Sequence, residues 1–112
     1  MTAASHRPNT SAVVNMLLEE AKSDYVGLWT ILWEVRERLG ISDLDQRRQL
    51  TMEIVEALLD AGLRPVTLLQ DGGCLAWPET DARAVISRIA AEWTALRHEP
   101  DVGDIAWFDL SS

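Results

Sequence analysis

The stretch DYVGLWTILWEVRER, residues 24–38, decides the fold. Trp29 and Trp33 stand four residues apart in it, so a helix places both on one side. Burial of a tryptophan ring removes a large apolar surface from water, and two such rings on one helix predict that the helix is central to the fold. We predict that this helix begins near Asp24 and ends at Gly40. Its apolar face comprises Tyr25, Leu28, Trp29, Leu32, Val35 and Leu39.

Helical spacing of apolar residues predicts three further helices, one before this stretch and two after it. They run from Thr10 or Ser11 to about Ser23, from Ser42 to Gly62, and from Thr80 or Asp81 to a limit at Pro100. The last of these has the clearest amphipathic pattern in the chain, with apolar residues recurring every three or four positions.

The helical spacing of apolar residues is interrupted between the helix that ends at Gly62 and the helix that begins at Thr80 or Asp81. Val66–Gln70 and Cys74–Trp77 are short apolar runs on either side of an Asp-Gly-Gly turn, which predicts a β-hairpin. Ile105–Phe108 predicts a last strand, and its apolar residues on both faces are typical of a central strand. We therefore predict an α+β fold of about four helices and a small, mainly antiparallel three-stranded sheet. It forms a single domain over residues 10–112, after a flexible leader over residues 1–9.

Composition indicates an ordered, acidic protein. The 112 residues are 47% hydrophobic, which is enough for a core, and they carry a net charge of −8 from 18 acidic and 10 basic side chains. Such a chain repels nucleic acid and anionic membranes at long range, so the charge favours a partner protein with a basic surface. The alternative is that the acidity only keeps the protein soluble.

The single cysteine and the absence of long apolar runs bear on the compartment. One thiol cannot form a disulfide within the chain, and no run approaches the about 20 apolar residues that span a bilayer. The first ten residues carry no hydrophobic signal segment. We predict a cytoplasmic protein without a membrane partner.

No recognised catalytic or cofactor motif occurs in the sequence. Cys74 and His98 could form a nucleophile if they met, but no third group is available to orient the imidazole. The acidic run from Glu99 to Asp109 could hold a hard cation, although its spacing matches no calcium loop. We predict no catalytic residue, no cofactor and no metal site.

The remaining signal combines tryptophan with aspartate. Trp77 and Trp107 lie on short strands that are apolar on both faces, so one face of the sheet could be an exposed apolar patch. Asp71, Asp101 and Asp104 would then form an acidic rim at the strand ends. These five residues are the predicted partner-binding site, with tryptophan as the anchor. The alternative is that the fourth helix covers this face.

Three helices followed by a hairpin resemble the winged-helix arrangement, which implies a nucleic-acid-binding alternative. The reading helix would begin with Gln46, Arg47, Arg48 and Gln49, residue types that reach base edges and phosphates. The hairpin tip, however, carries Asp71 and no lysine or arginine. Nucleic acid is therefore the less favoured partner.

The segments DYVGLW (24–29) and GDIAWF (103–108), with DGGCLAW (71–77) between them, resemble those of small uncharacterised bacterial proteins. Small acidic single-domain proteins of this kind also resemble bacterial immunity and antitoxin proteins, which block a toxin by covering it. The resemblance implies a non-catalytic inhibitor that occludes a basic partner protein. A self-associating domain is a third possibility, because an exposed apolar face could also pair with its own copy.

Overall fold

The computed structural model describes residues 9–110, which fold into four helices and four strands. The helices are α1 (Thr10–Glu20), α2 (Leu28–Glu37), α3 (Leu44–Asp60) and α4 (Ala82–Leu96). The strands are β1 (Val26–Gly27), β2 (Leu63–Leu68), β3 (Cys74–Ala76) and β4 (Trp107–Leu110). The α+β class, the four helices and the antiparallel sheet are confirmed, but the sheet has four strands and not three. Residues 1–8 of the predicted leader lie outside the described residues.

The additional strand is β1, in a segment that we predicted as the start of a helix. Val26 pairs with Phe108 and Gly27 pairs with Trp107, in antiparallel register. The α2 helix begins directly after this pair, and the Leu28 N–H donates to the carbonyl oxygen of Ala106 at 3.0 Å. Strand β1 therefore fixes the start of α2 against the sheet.

The sheet has the strand order β1-β4-β2-β3, with every neighbouring pair antiparallel. Strand β4 lies between β1 and β2, which confirms the prediction of a central last strand. The predicted hairpin is also present, because Val66 of β2 lies opposite Ala76 of β3. Gly72 in its loop has φ +94°, a left-handed conformation that glycine adopts without steric cost.

One face of the sheet supports the main core. Val26, Phe108 and Pro65 stand opposite one another on β1, β4 and β2, so their side chains project from the same face. Phe108 is completely buried and is among the largest such side chains of the core. Buried residues from all four helices join this cluster, among them Leu17, Ile31, Ile54 and Ile89. The helices therefore form one layer against this face of the sheet.

Helices α1, α3 and α4 each begin with a side-chain cap. The carboxylate or amide oxygens of Asn9, Asp43 and Asp81 accept a backbone N–H from the first turn. Such caps satisfy donors that have no partner within the helix. Over residues 9–110, no helix is long and apolar enough to traverse a bilayer.

Candidate functional site

The five tryptophans divide into two groups by burial. Trp77 and Trp93 are each 6% exposed and belong to the core cluster between helices and sheet. Trp29 and Trp107 are half-buried, and Trp33 is 44% exposed. The second group is therefore the one that could contact a partner.

Trp77 does not belong to an exposed patch, and that part of the sequence prediction is wrong. The Trp77 backbone N–H donates to the carbonyl oxygen of Pro65 at 3.2 Å, beside the core face, whereas Trp107 lies opposite Val66 and points to the other face. The Trp77 indole Nε1–H donates to Thr67 Oγ1 at 3.1 Å. Trp77 is thus a structural residue of the core side.

An arginine from α4 holds Trp77 in place. The Arg88 guanidinium carbon lies 3.7 Å from the centre of the Trp77 ring, and the group pairs with Glu79 at 2.9 Å and Glu92 at 2.7 Å. Its hydrogen bond to Glu92 is the main cause that raises the pKa of Arg88. A backbone hydrogen bond, followed by that from Arg88, lowers the pKa of Glu79. This cluster fastens the β3–α4 connection to α4.

On the opposite face, two tryptophan rings meet over Gly27. A Cβ atom added to Gly27 would lie 2.7 Å from Cδ1 of Trp29 and 3.1 Å from Cζ3 of Trp107. Both rings therefore pack on the bare backbone of β1. The Trp29 Nε1 atom is buried without a hydrogen-bond partner in the described residues, which is an unfavourable arrangement unless close packing compensates for it.

Trp33 extends this aromatic surface along α2. It follows Trp29 by one helical turn, and both rings line a cleft of about 140 Å³ with Leu32, Arg36, Pro100 and Asp101. We call the continuous surface of Trp107, Trp29 and Trp33 the tryptophan strip. From the sequence, Trp29 and Trp33 marked α2 as a central helix, and neither was predicted to contact a partner. The apolar spacing of a helix does not show which part of its surface the neighbouring elements leave uncovered.

The loop before β4 flanks the tryptophan strip and is strained. Ile105 has φ +68°, a left-handed conformation that is rare for a β-branched residue. The Ala106 N–H donates to the Asp104 carbonyl oxygen at 2.8 Å across Ile105, in the manner of a γ-turn. The Asp104 carboxylate in turn accepts the N–H of Asp101 at 2.8 Å. Two of the predicted rim residues, Asp101 and Asp104, are thus held together in a fixed loop.

Asp71, the third predicted rim residue, lies elsewhere. It is exposed at the tip of the β2–β3 hairpin, where its Oδ1 accepts the N–H of Gly73 at 3.0 Å. This bond is typical of an aspartate that shapes a turn. Asp71 does not line the tryptophan cleft, so of the three aspartates only Asp101 lines it.

Arg47 and Arg48, the residues of the nucleic-acid alternative, form hydrogen bonds with other parts of the chain. The Arg47 guanidinium donates to the Ile41 carbonyl oxygen at 2.7 Å and to Glu99 at 3.0 Å. Arg48 donates to the Ala90 carbonyl oxygen at 2.9 Å and lies 5.5 Å from the centre of the Trp93 ring. Both arginines therefore anchor α3, Arg48 to α4 and Arg47 to the segment that follows α4.

The outer surface of α3 is acidic. Five of its exposed side chains follow one another every three or four positions, which places them along one stripe of the helix. They are Asp45, Gln49, Glu53, Glu56 and Asp60. This surface would repel a phosphate backbone.

Cys74 and His98 lie in different parts of the molecule. Cys74 is exposed on β3. His98 lines a groove between α3 and α4 with Arg48 and Trp93, and its Nδ1 lies 2.7 Å from the Glu99 carbonyl oxygen. Within residues 9–110, no group of three or more His, Cys, Asp and Glu side chains could hold a metal ion.

The chain matches no protein-family model, and no curated protein or solved structure is significantly similar to it.

The packing over Gly27 predicts a specific effect of a single methyl group. Gly27→Ala should displace the Trp29 ring and lower the free energy of unfolding by about 1–3 kcal/mol, as overpacking does elsewhere. The measurement is urea denaturation, combined with the indole N–H signals of Trp29 and Trp107 in NMR spectra. Gly73→Ala is the matched control, because its added Cβ would meet no atom closer than Asp71 Oδ1 at 3.3 Å and Leu69 Cδ1 at 3.9 Å. Unchanged stability and unchanged indole signals in Gly27→Ala would contradict the packing.

Proposed function

We propose that this chain is a non-catalytic, acidic protein-binding module, which inhibits a partner protein by occluding a basic surface in the manner of an immunity protein. The supporting observation is the tryptophan strip, in which Trp33 is 44% exposed beside the half-buried Trp29 and Trp107. Tryptophan is the residue type most enriched among those that dominate binding energy at protein interfaces. Three of them on one surface form a candidate anchor.

Charge supports a basic partner. The chain has a net charge of −8, and Asp101 and the acidic stripe of α3 place negative side chains on the surface. Complementary charge mainly increases the rate of encounter and selects the partner, whereas the buried aromatic contacts determine how slowly the complex dissociates. We therefore assign steering to the aspartates and anchoring to the tryptophans.

The first test is affinity capture with the full chain as bait, from bacterial lysate, with washes at low and high salt. The captured protein is then purified and its affinity measured by calorimetry for wild type and for Trp107→Ala. We expect Trp107→Ala to weaken binding about tenfold or more, as loss of an interface anchor does. Asp104→Lys should slow association at low salt and have less effect at high salt. Because this change also removes the acceptor of the Asp101 N–H, Asp104→Asn, which loses the charge and keeps an acceptor oxygen, is measured beside it.

The matched control for Trp107→Ala is Leu75→Ala on the edge strand β3, since Leu75 is 63% exposed and distant in the strand order from β1. It should bind like the wild type. Capture of no stoichiometric protein, or equal affinity for Trp107→Ala and Leu75→Ala, would refute the proposal. Unfolding curves of both variants separate a binding defect from a folding defect.

A nucleic-acid-binding regulator of winged-helix type is the second candidate, favoured by one observation. The order of α1, α2, α3 and the β2–β3 hairpin fits that arrangement. Against it stand the internal bonds of Arg47 and Arg48 and the acidic outer surface of α3. Retention of duplex DNA by the chain, with affinity that falls steeply as salt rises, would favour this candidate over the first.

A further inference from the structure

We propose that the cleft beside Trp33 receives an arginine side chain of the partner, whose guanidinium group stacks on the Trp33 ring and pairs with Asp101. This inference rests on the proposed function and specifies the chemical group that the tryptophan strip recognises. It follows from the size of the cleft, from the free aromatic surface and from the local charges.

The size of the cleft fits the end of one side chain. Its volume of about 140 Å³ corresponds to about five water molecules, whereas pockets for drug-sized ligands measure about 300–1,000 Å³. Leu32 and Pro100 are buried and form an apolar floor. Trp33, which is 44% exposed, forms one wall, and Asp101 is exposed at the rim.

The protein already uses arginine on its other tryptophans. The Arg88 guanidinium lies over Trp77 at 3.7 Å, and that of Arg48 lies over Trp93 at 5.5 Å. Over residues 9–110, no such cation covers any ring of the tryptophan strip. The core-side rings thus have their cation within the chain, and the Trp33 ring, 44% exposed, is free to take one from outside.

The charges around the cleft favour a cation. Asp101 uses its Oδ1 to accept the N–H of Val102 at 2.8 Å, and no hydrogen bond from the described residues reaches its Oδ2. Among the described residues that line the cleft, Arg36 is the one cationic side chain, and its Nε donates to Glu37 at 2.9 Å. Arginine suits the site better than lysine, because a planar guanidinium can stack on a ring and pair with a carboxylate at the same time.

The experiment titrates a small probe into the full chain labelled with ¹⁵N at tryptophan. The probe is the peptide acetyl-Gly-Arg-Gly-amide, and its neutral counterpart carries citrulline in place of arginine. We expect the arginine peptide to shift the indole N–H signals of Trp33 and Trp29 and to leave those of Trp77 and Trp93 unchanged. The citrulline peptide should produce no saturable shift, and the corresponding lysine peptide a weaker one.

Variants of the cleft residues test each contact. Trp33→Leu should weaken binding of the arginine peptide about two- to fivefold, the range for an exposed cation–π contact. Asp101→Asn should weaken it by a similar factor, the upper range for an exposed ion pair. Arg36→Gln should strengthen it, because a like charge is removed. Asp71→Asn is the matched control, since it makes the same change of charge on an exposed aspartate outside the cleft, and it should leave the affinity unchanged.

The outcomes separate this inference from the proposed function. An arginine peptide that does not shift Trp33, or that shifts it no more than citrulline does, overturns the inference. If a captured partner still loses affinity with Trp107→Ala in that case, the protein-binding function stands, and only the assignment of an arginine side chain to the cleft is wrong. If no partner is captured either, both proposals fail.

Discussion

Phe108→Ala should lower the free energy of unfolding by about 3–5 kcal/mol, the range for truncation of a buried phenylalanine. Phe108 is completely buried on the central strand, with Val26 opposite it on one side and Pro65 on the other. Its removal leaves a cavity where the sheet meets the helix layer. Urea denaturation followed by circular dichroism measures the change.

The control for Phe108→Ala is Leu75→Ala, which removes an apolar side chain that is 63% exposed. It should change stability by no more than about 0.5 kcal/mol. Because small domains have a total stability of about 5–15 kcal/mol, the first variant should be close to unfolding at moderate urea and the second should not. Equal midpoints for the two variants would contradict the placement of the core.

Trp77→Ala should mainly lower stability and Trp33→Ala should mainly weaken partner binding, although each variant removes a tryptophan side chain. Trp77→Ala should cost about 3–5 kcal/mol of stability, because it empties a buried site and leaves Arg88 without its stacking partner. Trp33→Ala should cost less than about 1 kcal/mol, since its ring is 44% exposed. Partner affinity should fall with Trp33→Ala at temperatures where that variant is fully folded.

Urea denaturation measures the free energy of unfolding of these two variants, and calorimetry with the captured partner measures their affinity. A stability loss for Trp33→Ala as large as that for Trp77→Ala would show that Trp33 is a core residue, and would remove the basis of the tryptophan strip. Trp93→Ala should resemble Trp77→Ala, because Trp93 is also 6% exposed.

The sequence predicted those elements whose pattern is long or strongly marked. Helix α4 has an unbroken apolar period, and Asp81 caps it as one of the two predicted residues. The β2–β3 hairpin follows from an Asp-Gly-Gly turn between apolar runs, and the central position of β4 follows from its apolar residues on both faces. Each of these patterns lies within a short stretch of the chain, so one sequence is enough to recognise it.

Strand β1 escaped prediction because it has only two residues. Period-two alternation needs about four or more residues to be visible, and Val26 also fits the helical spacing of the segment that follows. The strand exists because β4 supplies its hydrogen-bond partners from about 80 positions further along the chain. Such pairing is not a property of the local sequence.

The assignment of Trp77 and Trp107 to opposite faces depends on register. A shift of one residue moves every side chain of a strand to the other face, and nothing in the two short runs specifies the alignment of β4 with β2. The roles of Arg47 and Arg48 are long-range in the same way, since their partners Glu99 and Ala90 lie 52 and 42 positions away. The residue types of the candidate site were therefore visible in the sequence, but their separation into structural and exposed groups was not.

The left-handed Ile105 has a consequence for the kinetics of any complex. A β-branched residue adopts this conformation only where the surrounding bonds hold it, here those at Ala106 and Asp104. The loop beside the tryptophan strip is thus already ordered before a partner arrives, and its conformational entropy is not lost again on association. Related partners should therefore form complexes at similar rates and differ chiefly in residence time.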